Sequence, residues 1–469
     1  MVAPVFVART WAQRALSLLA WSLLASMLVE ALHDVSMAWD VWYYHLPFAA
    51  RIAGIVPAKQ FAYDPLNQAR FEGFPLLAET IQGLLWRVTG RAESANLVAF
   101  ASVPLFAWFV KRRFDVPMDA TILALLAVPV VQIHATSCYV DLPANAATSA
   151  LVLLVIASFA EAKAPSRGTI ALALACAAIA ANTKALSHPI VGLALAALAW
   201  RVRDWKTIAI ASLALPIVFF TPLKNLALYQ NPYYPVDFRM LGVHFHGLDA
   251  PYSSSPVWLE HAPRPVRFLC SVFEIGVRPM SDTRRWTVDE WTPPDAPGYR
   301  MGGFFGAYVA LHLALFAWRA VRDRKDRAAR AAAIGFGALT AIVSVLPQSH
   351  ELRYYMGWMM VLVVLDLWLW RRRAPAVAPQ RMALGAVVAL AAVLFVTRGA
   401  YAYPSGESFD QLVRAEVDAS ALHKVRDGEH VCVHRAPWNL LWAARFHAPR
   451  DYAVTEADAP ADCAGAPAL

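Results

Sequence analysis

Residues 141–184 have the sequence DLPANAATSALVLLVIASFAEAKAPSRGTIALALACAAIAANTK. Two apolar segments in it, near 143–161 and 168–184, each approach the roughly 20 residues that a helix needs to cross the hydrocarbon core of a membrane. The short turn between them is basic, and short basic loops stay on the cytoplasmic side. The stretch therefore predicts a helical hairpin whose two ends, Asp141 and Lys184, lie on the outer side.

The same apolar pattern recurs along the whole chain, so we predict about 11 transmembrane helices. The segments lie near 13–32, 93–111, 118–135, 143–161, 168–184, 188–201, 206–222, 301–319, 331–347, 354–371 and 382–399. The first segment resembles a signal peptide, but no clear small-x-small cleavage site follows it. We therefore predict that it is an uncleaved first transmembrane helix.

The composition agrees with a membrane protein. Of the 469 residues, 58% are hydrophobic and 16% are charged, with a mean hydropathy of +0.43. Soluble domains carry about 25% charged residues. The net charge is +8, and many of the basic residues lie in short runs between apolar segments. That distribution is the positive-inside pattern, so the charge does not indicate nucleic-acid binding.

The basic runs also predict the orientation. With a cytoplasmic N terminus, six short segments that together hold 20 of the 42 Lys and Arg residues all fall inside. Their basic residues are Arg9 and Arg14; Lys111, Arg112 and Arg113; Lys163 and Arg167; Arg201, Arg203 and Lys206; Arg319, Arg322, Arg324, Lys325, Arg327 and Arg330; and Arg371, Arg372, Arg373 and Arg381. We predict a multi-pass protein of a bacterial-type inner (plasma) membrane, with the C terminus extracytoplasmic.

Two long loops are extracytoplasmic in this topology, at 33–92 and 224–300. The first contains Asp40–Val56 and Pro75–Arg87, where a helical apolar pattern is interrupted by charges. These two stretches are predicted to be amphipathic helices at the membrane interface. The second loop is rich in proline and poor in glycine and serine, which predicts a structured loop rather than a flexible linker.

The tail is also predicted to be extracytoplasmic. Its helical pattern at Gln411–Lys424 and its strand-like run at His430–His434 predict a small α/β subdomain at 401–469, after a transmembrane domain at 1–400. Two of the five cysteines, Cys432 and Cys463, lie in this tail. In an oxidising compartment they could pair, and this pairing is a hypothesis. None of the cysteines forms a CxxC motif.

Two outer carboxylates are candidates for chemistry. Asp40 lies among aromatic residues, which favour the membrane interface. Partial desolvation there should raise its pKa, which suits a general base. The alternative is that these aromatic residues form a belt at the membrane interface and that Asp40 has no role in chemistry. Asp141 precedes Pro143, and its alternative role is to cap the following helix.

Three outer cations are candidates for binding a phosphate. Lys184 and Lys224 stand at the outer ends of apolar segments, and Arg353 precedes another segment. Charges at membrane depth are costly and are functional candidates by default. The alternatives are a snorkelling lysine for Lys184, a helix-end dipole contact for Lys224, and an interface anchor or a salt bridge to Glu351 for Arg353.

Carboxylates and cations on one side of a membrane suit an inverting glycosyl transfer. A carboxylate takes the proton of an acceptor hydroxyl, and cations stabilise the departing phosphate. His244, His246 and Asp249 have the composition of a metal site but no recognised ligand spacing, so no metal site is predicted. The nucleophile-elbow, P-loop, HExxH and dinucleotide-binding motifs are missing from the sequence.

The order of these motifs resembles the GT-C superfamily of membrane glycosyltransferases, especially lipid A aminoarabinose transferases and protein O-mannosyltransferases. Asp40-Val41-Trp42-Tyr43-Tyr44 matches the family's D-x-x-x-Y, with Val41 where a glutamate is frequent. Further similar elements follow in order: the interfacial helix from Phe74-Pro75-Leu76 to Gly90, the second aspartate in Val140-Asp141-Leu142-Pro143, the T-K in Asn182-Thr183-Lys184, and the R-Y in Glu351-Leu352-Arg353-Tyr354.

The resemblance implies a GT-C-like bundle and a glycosyltransferase that uses a polyprenyl-phosphate-sugar donor. Its acceptor would be an envelope glycolipid, polysaccharide or protein. Asp40 and Asp141 are then the predicted catalytic residues, with Asp40 as the general base. The predicted donor-phosphate-binding residues are Lys184, Arg353 and Lys224, and the predicted substrate-binding residues are Tyr44, His45 and Asn225. No cofactor is assigned, and dependence on a divalent metal is left open because of Val41.

Two other functions stay open at this point. A transporter or flippase of a lipid-linked or anionic solute would explain Asp366, which lies within an apolar segment. Such proteins have paired halves and midplane charges, whereas this sequence has no internal repeat and places its charges at one surface. A polymerase or ligase of surface polysaccharide is the other alternative, and the sequence separates it poorly from a transferase.

Overall fold

The protein is mostly helical in a computed structural model, which describes residues 10–240, 242–251, 255–286, 295–373, 378–447, 451–457 and 463. Arg9 and parts of the loop at 224–300 therefore lie outside the described residues. The helices are α1 (Trp11–Ala31), α2 (Leu46–Ile52), α3 (Pro65–Gly73), α4 (Leu77–Thr89), α5 (Leu97–Phe114), α6 (Met118–Leu126), α7 (Pro129–Ala135), α8 (Asp141–Ala160), α9 (Arg167–Thr183), α10 (His188–Val202), α11 (Trp205–Ser212), α12 (Leu215–Val218), α13 (Phe220–Tyr229), α14 (Arg264–Val272), α15 (Gly306–Arg322), α16 (Arg327–Val345), α17 (Met356–Arg373), α18 (Ala378–Val396), α19 (Phe409–Glu416) and α20 (Ala419–Lys424).

The long apolar helices confirm a multi-pass membrane protein. Within the described ranges, six helical segments are long and apolar enough to cross a membrane, or seven if the bent pair α6 and α7 is one span. Each of the eleven predicted segments falls on helical residues. The count of about 11 spans stays a prediction, because several of these helices are short or broken.

Two predicted spans are interrupted. The chain bends by 101° between α6 and α7, where Pro129 begins the second helix and the backbone N–H of Val130 donates to Gly303 (2.9 Å). The segment predicted at 206–222 forms α11, α12 and α13. The side chain of Asn182 donates to the carbonyls of Ile217 (2.9 Å) and Val218 (3.1 Å) at this break. Free carbonyls at a helix break need such donors.

The centre of the bundle is the contact between α8 and α17, which are buried along most of their length. Asn145 joins them, since its side-chain oxygen accepts a hydrogen bond from the backbone of Gly357 (2.8 Å) and its amide donates to the carbonyl of Arg353 (3.3 Å). These bonds fix the outer ends of both helices. Asp141 begins α8, and Arg353 lies in the 3₁₀ turn Leu352–Tyr355 before α17.

The opposite end of the bundle gathers basic segments that were predicted to be cytoplasmic. Three arginines at the end of α17 form ion pairs there with aspartates that follow α5 and α15. The pairs are Arg371 with Asp115 (3.2 Å), Arg372 with Asp326 (3.7 Å) and Arg373 with Asp323 (3.2 Å). These contacts put several predicted cytoplasmic loops at one end, as the alternation of the helices requires. The orientation of that end in the cell stays a prediction.

The tail packs on the first outer loop. Strands β1 (Phe61–Ala62), β4 (His430–Val433) and β5 (Ala453–Glu456) form a parallel sheet in the order β1-β5-β4, so β5 pairs with a strand of the loop at 33–92. A second, antiparallel pair is β2 (Phe238–Met240) with β3 (Val243–Phe245). A short segment has little core of its own. The tail shares its core with this loop, and the domain boundary at 400/401 stays a prediction.

A disulfide joins Cys432 to Cys463 across 31 residues, with Cα atoms 5.5 Å apart. A loop of this length predicts a stabilisation of about 3–4 kcal/mol. We expect Cys432→Ser/Cys463→Ser to unfold at a lower temperature than wild type, and Cys270→Ser, at a free cysteine, to change little. Denatured wild type should show three thiols without reductant and five with it. Five thiols without reductant would contradict the pairing.

Candidate active site at the outer end of the bundle

Asp40 is positioned by a short π-helical turn. It directly precedes the turn Val41–His45, and π turns are frequent at functional sites. Trp42 anchors the turn from the buried side, because its indole N–H donates to the carbonyl of Ser36 (2.9 Å) and its ring packs on Phe409. With Trp42 fixed, the carboxylate of Asp40 is directed toward Arg353, just before the start of α17.

Arg353 contacts most of the charged and polar groups of the site. Its Nη1 donates to Oδ2 of Asp40 (2.9 Å) and to the hydroxyl of Tyr139 (3.2 Å), and its Nη2 donates to the hydroxyl of Tyr354 (2.8 Å). Its Nε lies 3.6 Å from Oε2 of Glu351. A guanidinium held on several sides is pre-oriented, and its planar fork suits a phosphate or a carboxylate.

Lys184 and Asp141 form a second ion pair beside Arg353. Lys184 follows the last residue of α9, and its Nζ also lies 4.3 Å from the centre of the Tyr354 ring. Among the described residues, no side chain caps the start of α8, so the alternative that Asp141 caps this helix is wrong. Asp141 instead holds the ammonium group of Lys184.

The charges of the site act on each other. Burial alone would raise the pKa of Asp40, but electrostatic interactions, with Arg353 first among them and Lys184 also contributing, bring that pKa below its ordinary value. The expected upward shift is therefore wrong, because the sequence does not show the arginine beside this carboxylate. Burial raises the pKa of Glu351, and Arg353 and Arg300 oppose that rise.

Exposure separates the two carboxylates. The side chain of Asp40 is 21% exposed, whereas that of Asp141 is 1% exposed. Lys184 is 17% exposed and Arg353 is 7% exposed. A substrate that enters the site would therefore meet Asp40 and Lys184 first, while Asp141 lies behind the lysine.

The structure places the other predicted site residues as follows. Tyr44 belongs to the cluster, since its side chain contributes to lowering the pKa of Asp40. His45 is buried one position further, with its Nδ1 2.9 Å from the carboxylate of Glu79. Lys224 donates to the carbonyl of Glu72 and Asn225 donates to the carbonyl of Gly73, so these two contact the end of α3 instead of Arg353.

Asn225 was predicted to bind substrate, whereas in the structure it joins α13 to the end of α3, and a variant can distinguish these two roles. Its buried amide donates to the carbonyls of Gly73 (2.7 Å) and Tyr234 (3.3 Å). Asn225→Ala leaves both carbonyls without this donor, so we expect the free energy of unfolding to fall by about 1–3 kcal/mol. Thermal unfolding and donor kinetics would be measured together. A variant with unchanged stability and a higher KM would show a substrate contact instead.

Tyr139 and Glu79 were not identified as site residues from the sequence, and Tyr354 was named only as part of the R-Y motif. Tyr139 lies two residues before Asp141 and Tyr354 directly follows Arg353, and this proximity in sequence is the signal that could have found them. The ring centres of Tyr139 and Tyr354 lie 5.5 Å and 4.7 Å from Cζ of Arg353, and the ring of Tyr354 also faces the ammonium group of Lys184. Nothing in the sequence near Glu79 indicates its contact with His45.

Asp366 has a local partner inside the membrane domain. Its Oδ2 lies 2.8 Å from Nδ1 of His312, which joins α17 to α15. Both side chains are buried. A packed pair between two helices accounts for this acid, which was the residue that favoured a transporter.

The fold is similar to that of ArnT from Cupriavidus metallidurans in two crystal structures. The apo structure matches with a TM-score of 0.52 and 14% identity, over 94% of this chain and 84% of that chain. The structure bound to undecaprenyl phosphate matches with a TM-score of 0.51 and 12% identity, over the same shares. No protein-family model and no curated protein matches. The structures confirm the ArnT-like fold that the sequence motifs suggested.

Proposed function

We propose that this protein transfers a sugar from a polyprenyl-phosphate donor to an acceptor of the cell envelope, on the outer face of the membrane. The observation that carries the proposal is the convergence of Asp40, Lys184 and Arg353 at one end of the bundle. ArnT, whose fold this chain resembles, has a crystal structure with undecaprenyl phosphate bound. The acceptor would be a glycolipid, a polysaccharide or a protein.

In the proposed reaction, Asp40 takes the proton of an acceptor hydroxyl. The hydroxyl oxygen attacks the anomeric carbon, a new glycosidic bond forms, and the bond between that carbon and the phosphate oxygen breaks with inversion. The phosphate gains a negative charge as it departs. Lys184 and Arg353 are placed to stabilise that charge, and such preorganised stabilisation is usually a large part of catalysis.

Arg353 links donor binding to the base. Its guanidinium donates to Asp40, which keeps the pKa of that carboxyl low and makes it a weak base. A bound phosphate would compete for the same guanidinium. The pKa of Asp40 would then rise toward the range that suits a general base, so the donor would activate the residue that the acceptor needs.

The lipid tail of the donor has a matching surface beside Lys184. The broken segment α11–α13 packs on the end of α9 through Asn182, two residues before this lysine. It presents exposed apolar side chains, including Ile217, Phe220 and Leu223. An isoprenoid chain along this segment would bring its phosphate to the ammonium group.

Purified protein in lipid nanodiscs, supplied with a panel of polyprenyl-phosphate sugars and envelope extracts, tests the proposed activity. We expect one donor to be consumed with release of the lipid phosphate, and the sugar to appear on one acceptor fraction. No consumption of any donor would contradict the proposal. A product in which identical sugar units accumulate would favour the polymerase instead of a single transfer.

Lys184→Met keeps the length of the side chain but removes its charge. Because Asp141 is buried, the single variant should lose about 3–5 kcal/mol of stability. Lys184→Met/Asp141→Asn removes both charges and should recover most of that stability while its KM for the donor stays at least tenfold above wild type. Stability comes from thermal unfolding, and KM from donor titration. Normal donor kinetics in the double variant would reduce Lys184 to a partner of Asp141.

A further inference from the structure

The tail holds a buried glutamate against the first outer loop. Glu456 is the last residue of β5, the strand that pairs with β1 of that loop. Its side chain is buried. Its Oε1 accepts a hydrogen bond from Nδ2 of Asn439 in the tail (3.0 Å), and its Oε2 accepts one from Nδ2 of Asn67 in α3 (3.2 Å). A single carboxyl group therefore joins the tail to the loop that carries Asp40.

Asn67 connects this glutamate to the candidate active site. Its side-chain nitrogen also donates to the carbonyl of Tyr43 (3.2 Å), and the whole residue is buried. A side-chain amide has two N–H groups to donate, so Glu456 and Tyr43 can each accept one. Tyr43 belongs to the π-helical turn that directly follows Asp40. The amide of Asn67 therefore lies between an acid of the tail and the turn that presents the proposed base.

Both amides at this contact are held by neighbouring groups. The backbone N–H of Asn67 donates to Oδ1 of Asp64 (3.0 Å), which caps α3. The side-chain oxygen of Asn439 accepts a hydrogen bond from the backbone of Arg435 (2.7 Å), so its nitrogen is left to donate to Glu456. Removal of the carboxyl group would leave two buried donors without this acceptor, which is costly.

The tail also touches the same turn through aromatic rings. Phe409 of α19 packs on Trp42 with 5.9 Å between ring centres, and Trp438 lies 4.9 Å from Trp42 on the same measure. These apolar contacts locate one side chain of the turn. The hydrogen bond to the carbonyl of Tyr43 instead acts on the backbone, and the direction of the Asp40 side chain depends on that backbone.

We propose that Glu456 is a positioning residue for Asp40. Through Asn67 it holds the carbonyl of Tyr43, and therefore the backbone of the turn that directs Asp40. The role rests on the proposed function, because it serves Asp40 as the general base. A base must come within hydrogen-bond distance of the proton that it takes. A displacement of about 1 Å at a reacting group can cost about a hundredfold in rate.

The charge of Glu456 makes this contact depend on pH. Burial raises the pKa of Glu456 from 4.5 to about 7, the amides of Asn439 and Asn67 oppose that rise, and the negative charge of Asp64 adds to it. If the tail separates from the loop, water reaches the carboxyl group and its pKa returns toward 4.5. The contact is therefore most stable below about pH 4.5, weakens as the pH rises to about 7, and changes little above that value.

The other groups beside Glu456 leave this direction unchanged. Tyr63, in the segment after β1, stays neutral because burial raises the pKa of its phenol. The guanidinium of Arg51 lies over the Tyr63 ring, 4.2 Å from its centre, and donates to the carbonyl of Phe61. These contacts direct the nearby positive charge to the ring and to the backbone of β1.

Hydrogen exchange tests the contact without any transfer reaction. Full-length wild type and Glu456→Gln in lipid nanodiscs are labelled at pH values from about 5 to about 8, and exchange is followed in the peptide that covers Val41–His45. Comparing the two proteins at each pH cancels the intrinsic effect of pH on exchange. Because glutamine does not ionise, we expect the ratio of wild-type to variant exchange to rise at least tenfold between about pH 5 and 7 and then to level off. A ratio that does not change with pH would overturn the proposal.

The matched control for this measurement is Glu416→Gln, which changes an exposed glutamate at the end of α19. We expect this variant to exchange like wild type at every pH. Equal behaviour of Glu416→Gln and Glu456→Gln would assign the pH effect to the general charge of the tail, and would overturn the role of Glu456.

Kinetics of three variants test the positioning role. Asn67→Ala and Glu456→Ala each break the link, so we expect kcat to fall about 10–100-fold while KM for the donor changes less than about threefold. The double variant should lose no more than either single variant, because both act through one link. Glu456→Gln keeps one accepting oxygen and should lose less than Glu456→Ala. Losses that multiply, or a KM that rises as kcat falls, would show that these residues only stabilise the fold.

The two measurements separate this proposal from the proposed function. Exchange that follows the expected pH dependence in a protein that transfers no sugar would overturn the general-base role of Asp40, and with it the positioning role. A wild type that transfers sugar, together with alanine variants that keep its kcat, would overturn the positioning role alone.

Discussion

Asp40→Asn should abolish sugar transfer while the protein still folds and inserts into the membrane. Asparagine keeps the size of the side chain and an oxygen that can accept the hydrogen bond from Arg353 (2.9 Å in wild type). It cannot take the proton of an acceptor hydroxyl. Loss of a general base costs about 10²–10⁴ in rate, and the turnover of purified variants measures that loss directly.

The control for this variant is Asp410→Asn, which changes an exposed aspartate in the first turn of α19. We expect this control to keep the turnover of wild type. Donor binding by Asp40→Asn should also persist, because Lys184 and Arg353 are intact. A turnover of Asp40→Asn within about tenfold of wild type would remove Asp40 from the role of base, whatever the donor.

The pH profile gives a further check on Asp40. Its positive neighbours hold its pKa below the ordinary value, so the free enzyme keeps Asp40 ionised through neutral and mildly acidic pH. The ion pair with Arg353 is present above that pKa and is lost as the pH falls through it. We therefore expect kcat/KM to show no loss near pH 5–7 from protonation of Asp40. A loss there that disappears in Arg353 variants would contradict this assignment.

Arg353→Lys should have the second largest effect, although it keeps the positive charge. Arginine contacts Asp40, Tyr139 and Tyr354 at the same time, and a lysine ammonium group cannot match that planar fork. Removing one preorganised charge-stabilising group costs on the order of 10²–10³ in rate. We expect a loss of that size in kcat/KM.

Arg300→Lys is the matched control for Arg353→Lys. Arg300 lies on the other side of Glu351, 3.9 Å from Oε1, and its side chain is 20% exposed. Its substitution should change kcat/KM by less than about tenfold, since a lysine keeps the positive charge and the 3.9 Å pair with Glu351 is not a close two-point contact that needs the guanidinium fork. Equal losses in both variants would mean that the network around Glu351 is structural. Wild-type kinetics in Arg353→Lys would contradict the role of Arg353 at the phosphate.

The sequence was most informative where the membrane acts as the solvent. Apolar runs of about 20 residues predicted helical residues in all eleven segments, because a chain in lipid must satisfy its backbone polar groups within a helix. The breaks within the segments at 118–135 and 206–222 depend on remote partners. Gly303 and Asn182 supply those contacts, and neither lies near the break in sequence.

The candidate site was predictable in its members but not in its pairs. The turns that carry Asp141, Lys184 and Arg353 were predicted on one side because the helices alternate in direction. Asp40 and Arg353 are 313 residues apart in sequence, and Asp141 and Lys184 are 43 residues apart. Which carboxylate pairs with which cation therefore depends on how the helices pack. That missing information explains the wrong direction expected for the pKa of Asp40.

The short strands show the same limit. β1 has two residues and gains its partner from β5 in the distant tail. A run of two residues has no periodicity to detect. Asp237 likewise lies 3.0 Å from Nε2 of His244 because β2 and β3, with three residues each, form an antiparallel pair. Local patterns identify long elements in lipid better than short ones in water.

Mass spectrometry of envelope glycans and glycolipids from three strains tests the central claim most directly. The strains are wild type, a deletion, and the deletion that carries Asp40→Asn in place of the wild-type gene, with membrane levels of the variant measured in parallel. We predict that the deletion and the Asp40→Asn strain lose the same sugar mass from the same acceptor, which would identify both. Identical glycans in the three strains, or full restoration by Asp40→Asn, would contradict a glycosyl transfer that depends on Asp40.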